Sequence, residues 1–255
     1  MKIEKITDSG SPYKFDTLWD GVPVFTDKNI ELINTLVNND SNYRLSFDDN
    51  DRSGKFSAGF LKGRFPQGYE DIHKTVELID KENATHISVT GIKEGSGGGR
   101  KIVSEYILEN YGDIREQIAT GKLDAVINLA EKPDTGRYNI SFASKFCAYT
   151  NRYCFGRDDY SIVDKVMCRV FPAYEAIYLE GTPIDRRKWL RQQEKKEFKY
   201  EEYQNTIQKI LDCINKSEDI SRKVGRRDFD LFLWYYYKGS DDRINKLYEE
   251  ISKHL

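Results

Sequence analysis

A chain of 255 residues is long enough to bury one large core or two smaller ones. With 40 Lys and Arg against 42 Asp and Glu, its formal charge of −2 excludes a protein that holds nucleic acid by bulk positive charge alone. No apolar run approaches the length of a membrane span and the leading MKIEKITDSG lacks a signal-peptide core, so a cytoplasmic protein with no membrane partner is expected.

In chain order, residues 1–26 carry Pro12, Gly21 and Pro23 among aromatics, which predicts an irregular lead-in with short strands. Asp27 is placed to cap a helix over Lys28–Val37, whose apolar face is Ile30, Leu32, Ile33 and Leu36. Tyr43–Phe47 reads as a strand or loop edge, and Asp48–Gly54 as a turn-rich break. Tyr69–Lys81 repeats apolar residues at helical spacing through Ile72, Val76, Leu78 and Ile79. His86–Ile92 is short and β-branched, as a strand would be.

The run Gly95-Ser96-Gly97-Gly98-Gly99-Arg100-Lys101 precedes a helix reaching about Tyr111. A glycine-rich loop there is either a flexible connector or an anion cradle, and its spacing does not match the phosphate loop of nucleotide hydrolases. Residues 114–130 read as one or two helices interrupted at Thr120-Gly121, and Lys132–Gly136 ends them with breaker residues. Asn139–Val170 then gives a helix carrying Lys145, a polar break at Gly156–Asp159 and a second amphipathic segment opened by Asp164. Beyond it, Asp185 can cap a charged helix to about Lys196, Phe198–Asn215 is amphipathic, Phe229–Tyr237 is densely aromatic, and Ile244–Ile251 closes with a short helix.

The four cysteines form no C-x-x-C pair and there are three histidines, so zinc-type spacing is missing and no metal or other cofactor is expected. Two basic clusters stand out against the acidic total: Arg186, Arg187, Lys188, Arg191, Lys195 and Lys196, then Arg222, Lys223, Arg226 and Arg227. Each fits a solvated helix face as well as a phosphate-binding surface.

Lys145 lies toward the edge of the apolar side formed by Phe142, Ala143, Phe146, Cys147, Tyr149, Thr150 and Tyr153. Taken singly, it is an ordinary lysine and Asp164 an ordinary helix-start carboxylate. Together they are nineteen positions apart, flanked by Ser144-Lys145-Phe146 and Ile162-Val163-Asp164, after a helix and a turn. That arrangement resembles the helix-hairpin-helix DNA glycosylases, in particular their 8-oxoguanine glycosylase branch, where a lysine in the helix after the hairpin is followed nineteen positions later by an aspartate. The run Phe142–Phe146 looks like the bacterial members.

The resemblance implies a mainly α fold, with two helical lobes around a cleft and a few short strands near the N-terminus. Residues 1–90 form an N-terminal region outside the resemblance, residues 91–255 the core, and the hairpin spans about 122–152. The resemblance further implies a monomer that excises a damaged or modified base from DNA, with 8-oxoguanine and a modified base of foreign DNA as the two substrate readings. Lys145 would be the nucleophile and Asp164 its charge partner, with Phe229, Phe232 and Trp234 around the base and Arg227 and Asp230 on its polar side. A non-catalytic DNA-binding module of the same fold is the alternative.

Two stretches depart from the family pattern. The hairpin has one glycine, Gly136, so Arg137, Asn139 and Ser141 are the candidate phosphate contacts. Ser96–Gly99 offers no large side chain to fill the gap left by a flipped base, which makes Arg100 the candidate wedge.

Overall fold

The computed structural model describes residues 14–39, 61–83, 85–87 and 98–255. Among them the chain is mainly α: eleven helices and one two-stranded antiparallel sheet. Contacts divide it into two compact units, one of residues 1–40 with 164–255 and the other of residues 41–163. The N-terminal helix packs against the aromatic C-terminal segment, which joins residues 14–39 to the end of the chain. The expected strand at 43–47, the turn at 48–54, most of His86–Ile92 and Gly95–Gly97 lie outside the described residues.

The first unit begins with strands β1 (Thr17–Trp19) and β2 (Val22–Pro23), turned by Gly21 at φ +71°. Helix α1 (Asp27–Asn39) follows, and its fully buried Asn29 fastens the hairpin. The Asn29 amide donates to the carbonyls of Asp16 (2.7 Å) and Val24 (2.8 Å), and its own oxygen accepts the Asp16 amide at 2.9 Å. A buried asparagine is tolerable because its polar atoms are used in this way.

The second unit contains α2 (Gly68–Asn83), α3 (Gly98–Glu109), α4 (Tyr111–Thr120), α5 (Asp124–Glu131) and α6 (Ile140–Phe155). Helix α6 is its hub, touching α2, α4 and α5. Every residue from Phe142 to Asn151 on it is buried, as expected of a helix surrounded on all sides. The break expected at Thr120-Gly121 is real: Gly121 ends α4 at φ +75°, and a Cβ there would meet the Asp159 carboxyl carbon at 2.7 Å. Glycine is required twice over, by conformation and by space.

The first unit resumes at α7 (Lys165–Tyr178), followed by α8 (Lys188–Glu194), α9 (Tyr200–Ile214), α10 (Arg226–Tyr237) and α11 (Asp241–His254). Helix α7 is the hub here and touches all four. Its core is built of rings: Phe25 lies 5.4 Å from Phe229 and 4.2 Å from Phe232, and Phe171 packs edge-on to Tyr203 at 4.9 Å. The charged helix expected from Asp185 to Lys196 is shorter than its charge pattern suggested, because Asp185 accepts the Arg187 amide in a turn and the helix starts only at Lys188.

Candidate functional site

The stretch from Asn139 to Val170 supplies the hub helix of one unit, α6, and most of the first two turns of the other's, α7. Lys145 sits in the second turn of α6 and Asp164 caps the start of α7, each described within its own unit.

Lys145 is 5% exposed, among the few buried charged side chains of the described residues. Its Nζ donates to the Ser141 hydroxyl at 2.8 Å, one helical turn earlier. The helical wheel had placed it toward the edge of the apolar side; that is too exposed, because α6 has no solvent side over this length. Lysine is rarely buried this fully without a partner or a task.

The hairpin before it is held from inside. The Thr135 hydroxyl, in a residue 1% exposed, accepts the Asn139 side-chain amide at 2.6 Å and donates to the Arg137 carbonyl at 3.2 Å. The Asn139 backbone amide donates to the Ala130 carbonyl at 3.0 Å, which ties the hairpin to the end of α5. Gly136 takes φ +71° with open space around it, and Arg137 is exposed. The three expected phosphate contacts therefore separate. Arg137 is accessible, Asn139 is 6% exposed and its side chain is spent on the turn, and Ser141 accepts from Lys145.

Asp164 has extended backbone (φ −141°) and its Oδ1 accepts the Met167 amide at 2.8 Å, the bond that makes a helix N-cap. It also contributes to the surroundings of Tyr203. That phenol is pushed well above its ordinary value by burial, and further by the nearby carboxylates of Asp230 and Asp164. Asp230, 5% exposed, was expected on the polar side of a base pocket.

The three rings expected around a base divide between core and surface. Phe229 and Phe232 are fully buried against Phe25, and Phe229 is also edge-on to Phe171 at 6.0 Å, so these rings fill the core of their unit. Trp234 is partly exposed, with the Lys238 ammonium 5.2 Å from its ring centre. Of the three rings only Trp234 presents surface.

Arg100 does not stand out as a wedge. Its Nε donates to Asp80 at 2.8 Å and a second nitrogen lies 3.6 Å from Glu77, so the guanidinium is turned onto α2. Asp80, 3% exposed, also accepts the Thr85 hydroxyl at 2.6 Å and the Ile87 amide at 3.0 Å. Burial works to raise the Asp80 carboxyl, but these donors outweigh it and hold the group below its ordinary value.

Four cations of the two basic clusters pair with acids of their own unit. Arg187 pairs with Glu194, Arg191 with Asp185, Arg222 with Asp228, and Lys188 lies 3.1 Å from Glu175 and 3.0 Å from Glu202. Arg227, Lys195, Lys196 and Lys223 are exposed. The cysteines are free thiols, and burial pushes Cys147 well up and Cys154 up to about 12, despite Arg115 nearby. Cys147 and Cys154 are poor nucleophiles and poor metal ligands in that state.

Two contacts near Lys145 had no separate sequence signal. Asn151, fully buried, donates to the Ile118 carbonyl (2.8 Å) and Asp159 (2.9 Å) and accepts the Asp159 amide (3.0 Å), fastening the loop after α6. The Ser144 hydroxyl, also fully buried, accepts the Val163 amide at 3.0 Å. No family model matches the chain, and no curated protein or solved structure matches it.

Proposed function

We propose that the chain is a DNA glycosylase with abasic-site lyase activity, acting on a damaged or modified base through Lys145. The observation that carries this reading is a 95%-buried lysine in the second turn of a hub helix, directly after a hairpin, with a capping aspartate nineteen positions on. Its resemblance to the helix-hairpin-helix glycosylases, 8-oxoguanine branch, supplies the chemistry.

A base inside a duplex must leave the stack before its glycosidic bond is reachable. The neutral Lys145 amine attacks C1′ of the extruded nucleotide, and the C1′–N bond breaks with its electron pair departing on the base, which gains a proton. Opening of the sugar gives an imine between Nζ and C1′, and loss of a C2′ proton then expels the 3′ phosphate by β-elimination. Ser141, 2.8 Å from Nζ, holds the amine in place. The Asp164 carboxylate stabilises positive charge on the sugar as the base departs. The accessible Arg137 and the open left-handed turn at Gly136 make the hairpin the phosphate contact.

The test is a panel of duplexes carrying single modified bases, 8-oxoguanine and bulky modified pyrimidines included, read for free base and strand cleavage. Release of a base from at least one duplex is expected, and no release from any of them would contradict the reading. A second reading, a non-catalytic DNA-binding module, is favoured by the filled aromatic core, in which Phe229 and Phe232 are already packed ring on ring. It predicts duplex binding with no base release.

A further inference from the structure

We propose that the turn at residues 195–199, between α8 and α9, is a contact surface for the phosphate backbone of DNA. DNA as the occupant rests on the glycosylase reading; the charge and conformation of the turn stand without it. Lys195, Lys196 and Lys199 are all exposed, and among the described residues none of them has an acid partner. Earlier members of the same basic cluster are engaged: Arg187 with Glu194, Lys188 with Glu175 and Arg191 with Asp185. Arg186 is turned over the Tyr248 ring, 4.2 Å from its centre.

The backbone of the turn is held in a conformation that a lysine disfavours. Lys196 has φ +59°, in the left-handed region, where a Cβ is a cost that glycine escapes. It stands just past the end of α8, where helices favour glycine: its amide donates to the Gln193 carbonyl at 3.2 Å, and the Glu197 amide to the Gln192 carbonyl at 2.9 Å. The surroundings keep it there. The Gln192 side chain accepts the Lys199 amide at 3.0 Å, and the buried Phe198 ring lies 5.4 Å from Trp189 and 5.3 Å from Tyr203. Backbone strain that its surroundings hold in place clusters at functional positions. Attraction to the negative end of the helix accounts for Lys195, but not for a lysine at the glycine position.

The partner follows from the chemistry of the side chains. Three ammonium groups on flexible stems, leaving one fixed turn, suit a linear polyanion whose phosphates each accept a point charge. Glu197 is the one acid of residues 195–199, so the turn is net positive. Phe198 is its one apolar residue and is buried, which leaves nothing to enter a lipid surface. Contacts of this kind displace counterions and position a duplex without reading its sequence.

The experiment measures affinity of the full chain for a labelled, undamaged duplex over a range of about 50–200 mM salt. Lys196→Gly should bind about fivefold more weakly near 0.15 M salt, with the logarithmic salt slope reduced by about 0.9, the share of one phosphate contact. The same variant should raise Tm by about 2–4 °C, because glycine enters the left-handed turn freely. Lys196→Arg should keep the affinity. Lys195→Gln, Lys196→Gly and Lys199→Gln together should weaken binding on the order of 100-fold. Lys209→Gln, at an exposed lysine of α9 outside the turn, should leave affinity and slope as in the wild type.

Borohydride reduction of the imine formed with an abasic-site duplex reads Lys145 separately, and the triple variant should be trapped like the wild type once duplex is saturating. Wild-type affinity and slope in the triple variant, with trapping retained, would overturn the proposal and leave the glycosylase reading intact. Loss of stability in Lys196→Gly would make the lysine a structural residue and overturn the proposal, as would an equal effect of Lys209→Gln. So would phosphatidylserine vesicles that the wild type binds and the triple variant releases while its duplex binding is unchanged. A wild-type protein that neither binds duplex nor is trapped would overturn both.

Discussion

The two hub helices differ in how many polar side chains they bury. Around α7 the first unit fills its interior with rings, Phe25, Phe171, Phe229 and Phe232 among them, packed at centroid distances from 4.2 Å to 6.0 Å. Helix α6 gives four positions, Ser144, Lys145, Thr150 and Asn151, to polar side chains at 5% exposure or less. Ring packing contributes apolar burial and shape, whereas each buried polar group must be matched by a partner to avoid a penalty. Polar groups so placed contribute less to stability than apolar ones would, so they mark where a chain commits to geometry or chemistry.

Buried acids follow the same contrast. Asp80 in the second unit is held below its ordinary value because three donors outweigh its burial. Glu175 in the first unit, 2% exposed, is pushed up because burial outweighs Lys188 and the Trp189 indole at 3.0 Å. Lys188 is nevertheless raised, against its own burial, since it pairs with Glu202 as well as with Glu175.

Truncation of the ring core should give the largest loss. Phe229→Ala is expected to destabilise the protein by about 3–5 kcal/mol, read by chemical denaturation. A Phe229 variant of wild-type stability and altered base selectivity would instead make that ring a pocket wall. Next in size is Asn151→Ala, which strips partners from the Ile118 carbonyl and from Asp159 and should cost about 1–3 kcal/mol by the same measurement.

The acids give the smaller, pH-dependent effect. A carboxyl whose folded value is depressed contributes stability above its unfolded value, near 3.9 for aspartate, and loses it as pH falls through the folded value. Wild-type stability should therefore fall in acid through Asp80, and Asp80→Asn should flatten that fall while lowering stability at neutral pH. Glu175 has the reverse sign. Its folded form binds a proton more readily than the unfolded chain, so its contribution declines as pH rises past about 4.3, and Glu175→Gln should lessen that decline. An unchanged pH profile in both variants would remove the contrast between the two units' acids.

Much of the helical order was legible because it is written in local chemistry. Gly121 and Gly156 end α4 and α6 in the left-handed conformation, and Asp164 caps α7, where breaker and cap residues predicted them. Pairing across the chain was not legible. That α1 packs with α10, that Arg100 turns onto Asp80, and that Phe229 and Phe232 meet Phe25 are decided by residues far apart in sequence, where periodicity carries no information. Lys145 shows both sides. Its spacing from Asp164 was visible, but its burial was not, because a helical wheel assumes a solvent side that α6 lacks.

The central claim is that Lys145 is a nucleophile, and borohydride trapping on an abasic-site duplex, with peptide mapping of the adduct, tests it most directly. Wild-type protein should form one covalent adduct mapping to Lys145, and Lys145→Gln should form none while still binding the duplex. An adduct that persists in Lys145→Gln, or no adduct with the wild-type protein, would contradict it.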